Sequence, residues 1–201
     1  MVDSQLRTVG VFDEAILAAM YALPRENFVT PALRGLAYAD AAIEVAPGRW
    51  LLEPMVLALL AQNSHVKPGE RALVVGSASG YSAAVLAHAG LVVTALESDA
   101  TLIDMAIAAG VVSVAGPLEQ GWAPGAPYDL VLFEGAIETI PAVIAAQLAP
   151  GGRVAAVVRH DGVGSASAGP LIAGGRIGGT PFLEVAAKAL PGFAAPRRFV
   201  F

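Results

Sequence analysis

Hydrophobic positions along the chain switch between short unbroken runs and longer helix-type stretches, and from residue 71 onward the switching is regular. Residues 72–75 are all apolar, as in a strand buried on both faces. Residues 81–89 are helical in character. Residues 91–96 read as a second strand ending at Glu97, and 100–109 as a helix closed by Gly110. A third strand is expected at 111–114 and a fourth at 129–133. A helix follows at 140–148, stopped by Pro150-Gly151-Gly152, and then a fifth strand at 153–158. The Gly- and Ala-rich remainder predicts a mobile loop at 165–169, a hairpin with arms at 169–177 and 182–187, and a terminal strand at 198–201.

Ahead of this alternation the pattern is helical. Residues 3–20 suit two short helices broken near Gly10, with Asp13 and Glu14 opening the second, because acids suit a helix N-terminus. Pro54 opens another helix, which ends before the turn Lys67-Pro68-Gly69-Glu70. Strands alternating with helices predict an α/β fold: a three-layer, doubly wound, mostly parallel sheet of the Rossmann-like kind, with an N-terminal helical extension and an antiparallel C-terminal strand. One domain over 1–201 is expected, divided into an N-terminal segment, 1–66, and an α/β core, 67–201.

Composition narrows the function classes. Apolar residues are 56% of the 201 and charged residues 14%. Globular chains carry about 25% charged residues, so a wholly disordered chain is excluded. With 12 basic and 17 acidic residues the net charge is −5, which leaves no excess to neutralise phosphates and argues against nucleic acid as a partner. Cysteine is absent, so there is no thiol nucleophile, disulfide or thiolate metal site. His65, His88 and His160 lack metal-ligand spacing, and no metal site is expected. No formally charged residue lies between Arg71 and Glu97, a stretch long enough to span a bilayer. Breaks at Gly76-Ser77-Ala78-Ser79-Gly80 and at His88-Ala89-Gly90 make it strand, turn, helix and strand instead. The first seven residues lack the basic-then-apolar layout of a signal peptide, and cytoplasmic residence is expected.

Chemistry concentrates at Val75-Gly76-Ser77-Ala78-Ser79-Gly80-Tyr81, where a strand runs through a Gly/Ser turn into a helix. Such a turn admits a ligand close to backbone and aims helix N-terminal amides at it. Glu97, at the end of the next strand about 20 residues on, is placed to accept both ribose hydroxyls of a nucleoside. The bland alternative is a tight turn and a solvated strand-end acid. A dinucleotide fingerprint would want Gly-x-Gly-x-x-Gly, and the chain has Gly76, Ala78 and Tyr81 there, a poor match. S-adenosylmethionine, with no pyrophosphate to cradle, suits Gly-x-x-x-Gly better.

Several stretches in order resemble the protein-L-isoaspartate O-methyltransferase family. They include residues 1–7, Pro24-Arg25-Glu26-Asn27-Phe28-Val29, Leu36-Ala37-Tyr38-Ala39-Asp40 and 66–71. They continue through 80–87, Ala126-Pro127-Tyr128-Asp129 and Gln147-Leu148-Ala149-Pro150-Gly151-Gly152-Arg153. The resemblance implies a class I methyltransferase fold, S-adenosylmethionine as methyl donor, and as partner a protein or peptide carrying isoaspartyl residues. It implies that 1–66 serve the acceptor side and 67–201 the cofactor. Gly76, Ser77, Ala78, Gly80, Tyr81, Glu97 and Gly116 are the cofactor candidates; Trp50, Leu51, Leu52, Glu53 and Glu134 line the acceptor pocket.

The chain also departs from the family pattern. The acceptor-site hydroxyl position is Leu52, so no catalytic residue is assigned. The adenine-binding Asp position is Pro117, a middle glycine is Ala78, and Glu134 replaces a small or hydroxyl residue. Losing donors at Leu52 and Pro117 would cost roughly 1–3 kcal/mol each. Two alternatives therefore stand beside weakened isoaspartyl methyl transfer: a non-catalytic partner-binding module of the same fold, or a methyltransferase with another acceptor. Apolar surface left over from the low charge predicts a homo-oligomeric interface.

Overall fold

The computed structural model describes residues 1–160 and 162–195; the terminal strand expected at 198–201 lies outside them. Helical turns at Val2–Leu6 and Arg7–Val9 stop at Gly10, which takes the left-handed φ of 87°. Asp13 then caps α1 (Glu14–Ala22), its carboxylate accepting from the Ala15 and Ile16 amides at 3.0 and 3.2 Å. A hairpin that the apolar pattern did not predict follows: β1 (Ile43–Ala46) and β2 (Arg49–Leu51). α2 (Pro54–Asn63) begins on Pro54, as expected.

The next five elements follow the expected alternation to within two residues. They are β3 (Arg71–Val75), α3 (Tyr81–His88), β4 (Val92–Glu97), α4 (Ala100–Ala108) and β5 (Ser113–Ala115). β6 (Tyr128–Ile137) runs past its expected end at 133. The helix expected at 140–148 shrinks to α5 (Ala142–Ala145). Gln147 explains this: its side chain turns inward, donating to the Gln120 carbonyl at 2.7 Å and accepting from the Trp122 amide at 2.8 Å. Its own carbonyl accepts from the Tyr128 amide at 2.8 Å, which draws the chain onto the sheet. β7 (Leu148–His160) therefore starts early, with Leu148 opposite Tyr128. Its register breaks across Pro150-Gly151-Gly152 and resumes with Arg153 opposite Leu130.

β8 (Val163–Ile172) returns antiparallel to β7, from Val163 opposite His160 to Pro170 opposite Arg153. This corrects the expectation of a mobile loop at 165–169. Ala166 and Ser167 are buried, and small side chains let α2 pack on the strand. The expected hairpin is also corrected: β9 (Arg176–Ile177) and β10 (Leu183–Glu184) each pair with β8 rather than with each other.

The sheet order is β10-β8-β7-β6-β3-β4-β5, with β7, β6, β3, β4 and β5 parallel. Alternate residues point to opposite faces. Val74, Leu130, Leu132 and Val157 face α1, α2 and α3 through Leu17, Leu57 and Leu86. Leu73, Val75, Val131 and Phe133 face Ile144 of α5, Leu190 and Phe193. The second face is thus covered by the short α5, by Leu118 and Trp122, and by Leu190 and Phe193. Among the described residues no helix is long and apolar enough to cross a membrane.

Candidate functional site

β3 is the switch point of the sheet: β4 and β5 lie to one side of it, β6 and β7 to the other. In open parallel sheets a crevice forms there, outside the carboxyl ends of the strands. Three pieces meet at it: the turn after β3, the end of β4 and the end of β6.

The turn leaves β3 with Gly76 at φ 70° and enters α3 through Gly80 at φ 92°. Both Gly76 and Ser77 amides donate to the Leu96 carbonyl, at 2.9 and 3.0 Å, tying the turn to β4. Ala78 also has positive φ, 49°, a conformation that costs a residue with a Cβ about 1–2 kcal/mol. Its N–H donates to Glu97 Oε2 at 2.9 Å, which holds it there.

Glu97 is fully buried, not a solvated strand-end acid. Its Oε1 accepts from the Ser98 and Asp99 amides at 2.7 and 3.2 Å. Its Oε2 accepts from Ala78 and from the Arg49 guanidinium. Arg49 arrives from β2, 6% exposed, and its Nε and Nη1 find no partner. Arg49 was missed in the sequence, where its only signal is a lone basic residue beside Trp50, just after the Gly48 turn.

The other candidates distribute as follows. Tyr81 turns its ring to Phe28, edge-on at 5.2 Å, and to the Arg25 guanidinium at 4.6 Å. Burial pushes its phenol up to about 12. Ser77 is buried with its hydroxyl unpartnered. The Gly116 amide donates to the Glu97 carbonyl at 3.1 Å, and Gly116 sits against Leu96. Leu51 and Leu52 are core residues. Leu52 is also gripped by its backbone: its N–H donates to Glu134 Oε1 at 2.9 Å, and its carbonyl accepts from buried Arg25 at 2.6 Å. Glu134 is buried too, and desolvation pushes its carboxyl above the ordinary value against Ser82, the Leu52 amide and the Arg25 and Arg49 charges. Half-buried Glu53 is raised as well, by desolvation and then by Asp40. Trp50 is half-buried, with Lys188 Nζ 5.1 Å from its ring centroid. No group of acids and histidines with the geometry of a metal site occurs among the described residues.

A segment not assigned to the site from sequence crosses it. Leu190 N–H donates to the Ala136 carbonyl at 2.7 Å, and Lys188 O accepts from the Ala136 amide at 2.8 Å, at the end of β6. A Cβ built on Gly76 would lie 2.7 Å from Leu190 Cδ1 and 2.8 Å from an Arg49 nitrogen. The space above the turn belongs to these two side chains.

Comparison with known proteins bears on the family and the fold. The family model for protein-L-isoaspartate(D-aspartate) O-methyltransferase matches residues 1–166. A protein-L-isoaspartate O-methyltransferase of Methylorubrum extorquens is 41% identical over 160 residues, covering 77% of this chain and 70% of its own. One from Methanoculleus marisnigri is 34% identical over 165 residues, covering 79% and 75%. A solved protein-L-isoaspartate O-methyltransferase superposes with a TM-score of 0.71 at 21% identity, over 92% of this chain; the match spans 63% of that protein. A Plasmodium falciparum structure of that type, in complex with S-adenosyl-L-homocysteine, gives 0.68 at 19%, over 81% and 84%. These two structures speak for the fold, and the sequence matches settle the family. The chain belongs to the protein-L-isoaspartate(D-aspartate) O-methyltransferase family.

Proposed function

We propose that the chain is an S-adenosylmethionine-dependent methyltransferase that esterifies the carboxylate of isoaspartyl residues in proteins or peptides. The observation that carries this is Glu97, a buried carboxylate at the tip of β4 facing the Gly76 turn, inside the family-matched region. The residue classes fit a nucleoside-bearing cofactor. Glu97 would take the ribose hydroxyls, and Gly76, Ser77, Ala78 and Gly80 would admit the rest close to backbone, with Gly116 at the far wall. When bound, the cofactor supplies an electrophilic methyl group on a sulfonium.

The protein's own share is alignment. An acceptor carboxylate has a reference pKa of about 4 and is ionised at neutral pH, so it needs no general base. The segment from Trp50 to Glu53, with Glu134 behind it, supports an acceptor wall on the N-terminal side. Position 52 brings no hydroxyl, and its amide is taken by Glu134. With the Leu52 side chain packed in the core, this position contributes no donor to the acceptor. This reading includes cytoplasmic residence. It also includes a homo-oligomeric contact over exposed apolar side chains such as Phe12 and Tyr21.

Methyl transfer from radiolabelled S-adenosylmethionine to an isoaspartyl peptide, against the aspartyl peptide as control, tests the reading. Glu97→Ala should abolish it; transfer unchanged in that variant would remove Glu97 from the site. A second reading, a non-catalytic partner module, is favoured by the Arg49–Glu97 pair filling the crevice. It predicts no calorimetric heat with S-adenosylhomocysteine at near-millimolar concentration.

A further inference from the structure

The crevice holds a contradiction. Its residue types suit a nucleoside, but both oxygens of Glu97 are already engaged. A carboxylate offers about four acceptor sites. Here the Ser98, Asp99 and Ala78 amides, the Ser98 hydroxyl at 3.3 Å and the Arg49 guanidinium donate into it. The three amides belong to the adjoining turns and cannot leave without unfolding them, and the Ser98 hydroxyl sits on the residue next to Glu97. Arg49 is the donor side chain that comes from another element.

The Arg49 contact is also poorly settled. A buried guanidinium normally satisfies its remaining donors, since an unpaired buried charge is costly. Arg49 is 6% exposed and leaves Nε and Nη1 without partners. Its cover is equally local. Leu190 is held by its own N–H on the Ala136 carbonyl and by the neighbouring Lys188 carbonyl on the Ala136 amide, and Phe193 by its carbonyl, which accepts from Glu138 N–H at 2.9 Å, and by its ring, edge-on to Phe133 at 5.2 Å.

We propose that Arg49 is an internal competitor of the nucleoside for Glu97, kept in place by Leu190, and that cofactor enters only when both withdraw and the segment 188–193 lifts from the end of β6. This rests on the methyltransferase reading above. In it the structure is the closed, ligand-excluding state, and measured affinity is reduced by the fraction of molecules that are open.

The test is calorimetric titration of S-adenosylhomocysteine into the full chain, into Leu190→Ala and into Arg49→Met, with near-ultraviolet circular dichroism to verify folding. Both variants should bind about tenfold or more tightly than the native chain, because the competing state is weakened. In hydrogen exchange on the native chain, saturating ligand should speed exchange of the Leu190 and Ala136 amides. If the native chain binds, the variants bind no tighter and those amides stay protected, the closure is wrong while the methyltransferase reading survives. If no folded chain, Leu190→Ala included, gives heat at near-millimolar ligand, the methyltransferase reading fails and this inference with it. Should Arg49→Met not fold, Leu190→Ala carries the test alone.

Discussion

Arg49 on β2 and Glu97 at the end of β4 form an ion pair buried from solvent, with the glutamate fully enclosed. It joins the N-terminal hairpin to the parallel sheet at the crevice outside the carboxyl ends of the strands.

Removing one partner should be costly. Breaking a buried pair costs about 3–5 kcal/mol, and Glu97 keeps three amide donors, so Arg49→Met should fall near the lower end. Combining Arg49→Met with Glu97→Gln removes the orphaned charge, and the double variant should lose less than the sum of the singles. Urea unfolding of the four chains checks this; strict additivity would deny the coupling.

Glu134 sets a pH dependence. Desolvation raises its folded pKa above the unfolded one, so the folded state holds the proton more tightly. Stability from this group is full below the ordinary glutamate value of about 4.3, and falls as pH rises from there to the raised folded value. Glu134→Gln keeps an oxygen for the Leu52 amide and removes the ionisation. It should match the native chain in mild acid and exceed it at neutral pH. Denaturant midpoints that run parallel across that range would contradict the assignment.

Gly80→Ala should destabilise severely. The position has φ 92°, and a Cβ there would lie 2.9 Å from Ala106 Cβ and 3.2 Å from Val111 Cγ2. Left-handed strain of about 1–2 kcal/mol adds to overpacking of about 1–3 kcal/mol. A thermal midpoint near that of the native chain would show that α3 and α4 can part freely.

Leu52→Ser tests the altered acceptor position. Leu52 is 3% exposed and belongs to the main core cluster. Truncating a buried leucine costs about 2–5 kcal/mol, and the new hydroxyl would be buried with it. The variant should lose stability without gaining methyl transfer. Gained transfer would mean that residue 52 reaches the acceptor.

Much of the fold was legible because the relevant forces are local. β3, α3, β4 and α4 follow from an apolar run, a glycine turn and a helix-type stretch within a few residues of one another, and Asp13 and Pro54 mark helix starts by their own chemistry. β8 escaped because Ala and Ser alternate with too little contrast in hydrophobicity to announce a strand; pairing with β7 made it one. α5 shortened because Gln147 found partners in Gln120 and Trp122, a contact between segments that sequence spacing does not rank.

The site divides in the same way. The chain's sequence by itself determined the family, the parallel α/β order and the pairing of a glycine turn with Glu97, since strand, turn, helix and strand-end acid are neighbours along the chain. Only the tertiary structure decided what stands in the crevice. Arg49 and Leu190 are far from Glu97 and Gly76 in sequence, and no local propensity pairs them. The packing of the hairpin and of segment 188–193 across the strand ends brings them in, and burial then forces each charge to find a partner inside the protein.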